Sequence, residues 1–193
     1  MEPFKSKKSS RETGRIILGV DPGTTITGYG IIDTSNNQPQ LVSMGIIELN
    51  KITDHYLKLK YIFERSLQLI DSYKPDELAI ESPFYGKNVQ SMLKLGRAQG
   101  TVISAALYRS IPIFEYAPRK IKQSITGHGT ASKEQVAVLL QNILKIKQLP
   151  TNLDATDGLA AAMCHFYQKN VPAGAKSLKN WKEFIKKNPG RIS

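Results

Sequence analysis

Cysteine is nearly absent from this chain. Cys164 is the single one among 193 residues, so no internal disulfide is available, and a reducing, cytoplasmic setting is expected. Tryptophan is equally scarce, with Trp181 alone near the C-terminus. No apolar run approaches the roughly 20 residues of a membrane span, so no membrane association is expected. The opening MEPFKSKKSSRETGR is polar and basic, lacks an apolar stretch and is not expected to act as a secretory signal. Acids are the minority, 16 against 27 Lys and Arg, for a net charge of +11. That excess is uneven: residues 1–15 carry +3 and residues 171–193 carry +5, leaving +3 for everything between. Basic tails of this kind favour nucleic acid as partner. What remains, 40% hydrophobic and 22% charged, fits an ordinary globular domain of this length.

The pattern predicts a disordered basic extension over 1–14, one domain over 15–170 and a basic tail over 171–193. A strand at about 15–20 ends at Asp21-Pro22-Gly23, a strong turn signal. Strands at 28–33 and about 40–49 follow on short connections, as in an antiparallel meander. Residues 54–73 have helical spacing, with Tyr56, Leu59, Ile62, Phe63, Leu67 and Ile70 on one face. A short strand at 77–81, a helix at about 87–109 and a strand at 111–115 come next. Helices are expected at about 118–124, from Ser132 to about 145 with Gln135 completing a capping box, and from Asp154 to about 168. In the tail, Ser177–Asn188 could form a short helix with Leu178, Trp181, Phe184 and Ile185 on one face and lysines on the other. The element order implies an α/β fold with a five-stranded mixed sheet, three strands antiparallel and two parallel, flanked by helices. A right-handed crossover then lays strand 77–81 beside the first strand, bringing Asp21 and Glu81 together at their C-terminal ends.

Both acids end apolar runs, where a lone carboxylate is costly unless a positive partner meets it. Asp154 and Asp157 open a third apolar stretch and share one helical face. Helix capping accounts for one of this pair better than for two. Four such carboxylates fit hard divalent cations with oxygen ligands, Mg²⁺ or Mn²⁺. The segment Asp21-Pro22-Gly23-Thr24-Thr25, with Gly28 and Gly30 beyond it, would let a substrate backbone approach closely. Similar D-x-G-T-T loops open the phosphate sites of actin-like and sugar-kinase ATPases. Cys164, in an apolar helical stretch, is expected simply to pack.

Four segments together resemble the RuvC Holliday-junction resolvases, whose fold is RNase H-like. They are ILGVDPGTTITGYGII (17–32), ELAIESPFYGKNVQSMLKLGRAQG (77–100), APRKIKQSITGHGTASKEQV (117–136) and DATDGLAAAMCH (154–165). The resemblance implies Asp21, Glu81, Asp154 and Asp157 as catalytic, metal-holding carboxylates for two Mg²⁺ ions, with Mn²⁺ able to substitute. It implies Lys122 and Lys133 as basic catalytic positions and Phe84 as an aromatic that unstacks bases at the junction centre. Tyr85, Lys87, Arg119 and Lys120 are further candidate DNA contacts, and His128 falls in a variable loop. The implied activity is paired nicking of four-way DNA junctions in recombination and repair. The implied assembly is a homodimer through the 87–109 helix, with Met92, Leu93, Leu95, Gly96 and the small residues Ala98, Gly100, Ser104 and Ala105 as the expected contact, working with the branch-migration motor complex of the same pathway. Two other classes stand beside this one: an actin-like or sugar-kinase-type ATPase, which needs two copies of the fold unit, and a non-catalytic junction-binding protein, which would not need all four acids.

Overall fold

A computed structural model describes residues 14–83 and 88–169. Phe84, Tyr85 and Lys87, the extension through residue 13 and the tail from 170 onward lie outside the described residues. Among the described residues, five strands form one sheet: β1 (Ile16–Asp21), β2 (Ile26–Asp33), β3 (Gln40–Glu48), β4 (Glu77–Glu81) and β5 (Ile113–Tyr116), in the order β3-β2-β1-β4-β5. The first three are antiparallel neighbours, while β4 runs parallel to both β1 and β5. Among the described residues, five α-helices flank the sheet: α1 (His55–Tyr73), α2 (Val89–Tyr108), α3 (Pro118–Thr126), α4 (Lys133–Leu144) and α5 (Asp154–Lys169).

Local chemistry explains the boundaries. Asp54 caps α1 by accepting from the Leu57 amide at 2.8 Å, and the chain leaves that helix at Lys74 in the left-handed region, just before Pro75. Ser132 and Gln135 form the expected capping box of α4. Pro112 precedes β5, which starts one residue later and extends to Tyr116.

Side-chain alternation divides the sheet into two faces. Leu18, Val20, Ile31, Leu78 and Ile80 pack on α1 and α2. Ile17, Ile32 and Ala79 pack on α3, α4 and α5, where Cys164 is fully buried as an ordinary core residue. Asp21 and Glu81 share the parity of Ile17 and Ala79, so both face α5.

Three expectations need correcting. Tyr56 stands off the apolar face of α1 and is 73% exposed, while Leu69 is buried. It lies in the first turn, on the flank of the stripe centred on Ile62 and Ser66. On α2, Ala98 and Ala105 are buried with Val102 and Ala106 in the protein's own core. They are not available to a partner, and the outward face carries Leu93, Gly100, Ser104 and Leu107 instead. Finally, Gly28 and Gly30 admit no substrate backbone. A Cβ on Gly28 would lie 1.9 Å from the Asp154 carbonyl oxygen, and one on Gly30 would lie 2.3 Å from the Leu159 Cα. Gly19 and Gly158 repeat this from each side, so α5 rests directly on the backbones of β1 and β2.

Candidate active site

Asp21 and Glu81 close adjacent parallel strands in register, since Val20 pairs with Ile80 one residue earlier. The turn after Asp21 is braced by Thr27 Oγ1, which lies 3.2 Å from both the amide and the carbonyl of Gly23. Lys58 Nζ donates to the Thr24 carbonyl at 3.0 Å. Asp154 and Asp157 come from the first turn of α5, the helix laid over β1 and β2 by the glycine contacts. Asn152 Oδ1 accepts from the Asp154 amide at 2.9 Å and settles that helix start. The expected corner therefore forms from β1, β4 and α5.

Lys133, the first residue of α4, inserts its ammonium between the two α5 carboxylates, 2.5 Å from Asp154 Oδ1 and 2.6 Å from Asp157 Oδ2. Burial disfavours its charge, but the hydrogen bonds to Asp154 and Asp157 outweigh that and raise its pKa. Lys122, half-buried on α3, brings positive charge to bear on Glu81 and Asp157. Arg119 and Lys120 are exposed in the first turn of α3. His128 is exposed in the α3–α4 loop.

The acids are uncomfortable as a group. Burial first, then the charges of Asp157 and Asp154 against that of Lys133, brings the Asp21 carboxyl up to about 7. Glu81 rises to about 8, through burial first and then the charges of Asp21 and Asp157, against Lys122 and Lys133. Asp157 is also raised by burial, despite its hydrogen bond from Lys133. Crowded carboxylates behave this way when too little positive charge sits among them.

A cleft of about 310 Å³ opens beside Asp21 and Glu81, with Leu95 and Gln99 of α2 on its far wall. A larger cavity, about 630 Å³, lies on the Glu134, Gln135 and Val138 side of α4 and holds none of the four site acids.

Among the described residues, no three His, Cys, Asp or Glu side chains converge tightly enough to grip an ion as they stand. The Lys133 ammonium lies between Asp154 and Asp157. The donor set nevertheless fits a hard divalent ion. Four carboxylates and no sulfur or imidazole supply oxygen ligands only, and burial, with the neighbouring carboxylates, holds two of them protonated near neutral pH.

The family model described as crossover junction endodeoxyribonuclease RuvC matches residues 17–165, from β1 to the last turns of α5. The chain belongs to that family. A relative of the same description from Christiangramia forsetii is 58% identical over 187 residues, covering 97% of each chain. Another, from Bacteroides fragilis, is 60% identical over 180 residues, covering 92% of this chain and 96% of that protein. Among solved structures, "T. thermophilus RuvC in complex with Holliday junction substrate" superposes with a TM-score of 0.71 at 27% identity, covering 80% of this chain and 95% of that one. The RNase H-like resolvase fold expected from the four segments is therefore the fold the chain has.

Sequence reasoning missed two parts of the site. One is the far wall formed by Leu95 and Gln99. The other is the role of glycine: Gly28, Gly30 and Gly158 set how near Asp154 and Asp157 come to Asp21. The alternation of Gly28 and Gly30 on one strand face was the available signal.

Proposed function

We propose that the protein is a structure-selective endodeoxyribonuclease that resolves four-way DNA junctions by symmetric paired nicks, acting in the cytoplasm in recombination and repair. One observation carries this reading. In a member of the crossover junction endodeoxyribonuclease family, β1, β4 and α5 bring Asp21, Glu81, Asp154 and Asp157 to one corner beside a cleft. A family relative has been solved with a Holliday junction as its substrate. The D-x-G-T-T segment alone favours an ATPase. Retention of all four acids argues against a non-catalytic junction binder.

In this reading Asp21, Glu81, Asp154 and Asp157 hold two Mg²⁺ ions, with Mn²⁺ able to substitute. When bound, such ions supply positive charge against the phosphate and the departing oxygen. Lys133 yields its place between Asp154 and Asp157, and its ammonium, together with that of Lys122, faces the charge that develops on the phosphate. Phe84, three residues after Glu81, is proposed as the side chain that unstacks bases. Tyr85, Lys87, Arg119 and Lys120 are proposed contacts to the DNA. The nuclease unit is taken as 15–170, working as a homodimer and alongside a branch-migration motor.

The test is a synthetic four-way junction incubated with and without Mg²⁺. Asp21→Asn, Glu81→Gln, Asp154→Asn and Asp157→Asn should each abolish nicking while leaving junction binding largely intact, because that grip comes mainly from Lys and Arg on phosphate. Near-normal nicking by one of these variants removes that residue from the site. Absence of Mg²⁺-dependent nicking by the unmodified protein removes the reading.

A further inference from the structure

A second polar cluster lies beneath α5, away from the four acids. His165 is fully buried. Its Nδ1 is 2.6 Å from the Tyr116 hydroxyl and its Nε2 is 2.8 Å from Glu77 Oε2. The ring leans on Phe114 with centroids 4.3 Å apart. Lys169 also donates to Glu77, and Arg15 approaches the same carboxylate at 3.4 Å. Burial alone would raise Glu77, but the hydrogen bonds from His165 and Lys169, with the charges of Lys169 and Arg15, hold it down at about 2. An ionised carboxylate only accepts, so Nε2 carries the proton toward Glu77. In the neutral ring, Nδ1 then accepts from the Tyr116 hydroxyl.

The placement of these three residues is informative. Glu77 and Glu81 are the two ends of β4 and face the same side. Tyr116 is the register partner of Glu81 on β5. His165 sits on α5 about 12 Å along the helix from Asp157, at 1.5 Å per residue. Over β1 and β2, α5 is seated by backbone contacts at glycines. Over β4, the core residue beneath it is the small Ala79. Among the described residues, the side-chain hydrogen bonds that tie α5 to β4 and β5 are those of His165 and Lys169.

We propose that Tyr116, His165 and Glu77 form a positioning relay that sets Glu81 of β4 against Asp154 and Asp157 of α5, and thereby the affinity of the site for its divalent ion. The inference rests on the metal reading above. None of the three residues touches the reacting atoms; each acts through the spacing of the carboxylates.

The experiment measures Mn²⁺ binding to the full-length protein without DNA, by calorimetry, alongside the Mg²⁺ dependence of junction nicking. His165→Phe keeps an aromatic ring and deletes both hydrogen bonds. It should weaken Mn²⁺ binding about tenfold, the low end for groups that orient metal ligands from behind, and raise the Mg²⁺ needed for half-maximal nicking in proportion. Junction affinity in EDTA should not change. Tyr116→Phe deletes one hydroxyl and should shift both readouts the same way by less, and the double variant should be no worse than His165→Phe. Lowered melting temperature with unchanged Mn²⁺ affinity would make the cluster a stability element and overturn the relay. If His165→Phe does not fold, unchanged Mn²⁺ affinity in Tyr116→Phe overturns it equally. An unmodified protein that binds no Mn²⁺ overturns the metal reading, and the relay with it.

Discussion

Asp21 and Glu81 keep their protons at pH values where exposed carboxylates have long lost them, which gives the site a measurable signature. In the unfolded chain both lose their protons near pH 4. In the fold, Asp21 holds on to about 7 and Glu81 to about 8. Between those limits the folded state binds more protons than the unfolded one, so its stability falls as pH rises. Metal-free protein should therefore melt progressively lower from pH 5 to about pH 8, most steeply below about pH 7, where both folded acids still hold their protons, and level off above about 8. A divalent ion replaces those protons with positive charge, so saturating Mg²⁺ or Mn²⁺ should flatten the slope. Calorimetric melting across pH, with and without metal, measures both effects. A metal-free melting temperature that does not fall over this range would mean that the two acids are not confined as described.

Among the elements, α5 has the most demanding fit. Helices usually keep 8–10 Å from their neighbours because side chains intervene. Here Gly19, Gly28, Gly30 and Gly158 remove the side chains at the crossing, and backbone meets backbone. The approach is what delivers the first turn of α5 to the ends of β1 and β4. Gly28→Ala puts a methyl 1.9 Å from the Asp154 carbonyl oxygen, a contact that no rotamer can relieve. It should cost about 1–3 kcal/mol of stability, as overpacking commonly does. Because the displaced residue is Asp154 itself, nicking should fall much further than the melting temperature implies. Activity reduced only in step with stability would show that α5 moves without disturbing the carboxylates.

For the whole molecule, the outward face of α2 is the surface on which the proposed homodimer would form. Leu93 and Leu107 are half or more exposed, and a Cβ on Gly96 or Gly100 between them would meet nothing within 4 Å. A stripe with apolar ends and a small-residue centre lets two copies of the helix approach closely. In the proposed homodimer, a two-fold axis would place two cleavage sites to match the near two-fold symmetry of an open junction. Gly100→Arg would face its own copy across such an axis, and two like charges there cost several kcal/mol. The expected result is a dimer weakened by at least about 100-fold, seen by light scattering, with loss of paired nicks and retention of the melting temperature. A variant that stays dimeric moves the interface elsewhere.

The alternation of the strands, the helix caps at Asp54 and Ser132, and the acids that end apolar runs are local properties, carried by neighbours within a few residues. They determined the element order, the mixed sheet and the convergence of Asp21 with Glu81, because a parallel crossover of one hand leaves little choice. The strand Glu77–Glu81 has the bounds its pattern predicts. Which side of α2 faces inward was less legible, since small residues line both sides of that helix and either could have packed. The glycines were read as space for a ligand, because a missing side chain does not say what fills the gap. His165 carried no signal at all: its partners Glu77 and Tyr116 lie 88 and 49 residues away, and only the packing of α5 across β4 and β5 brings them within a hydrogen bond. The same packing sets Lys133 between Asp154 and Asp157, a contact across 21 residues, because the electrostatics of the site depend on distances that no local pattern encodes.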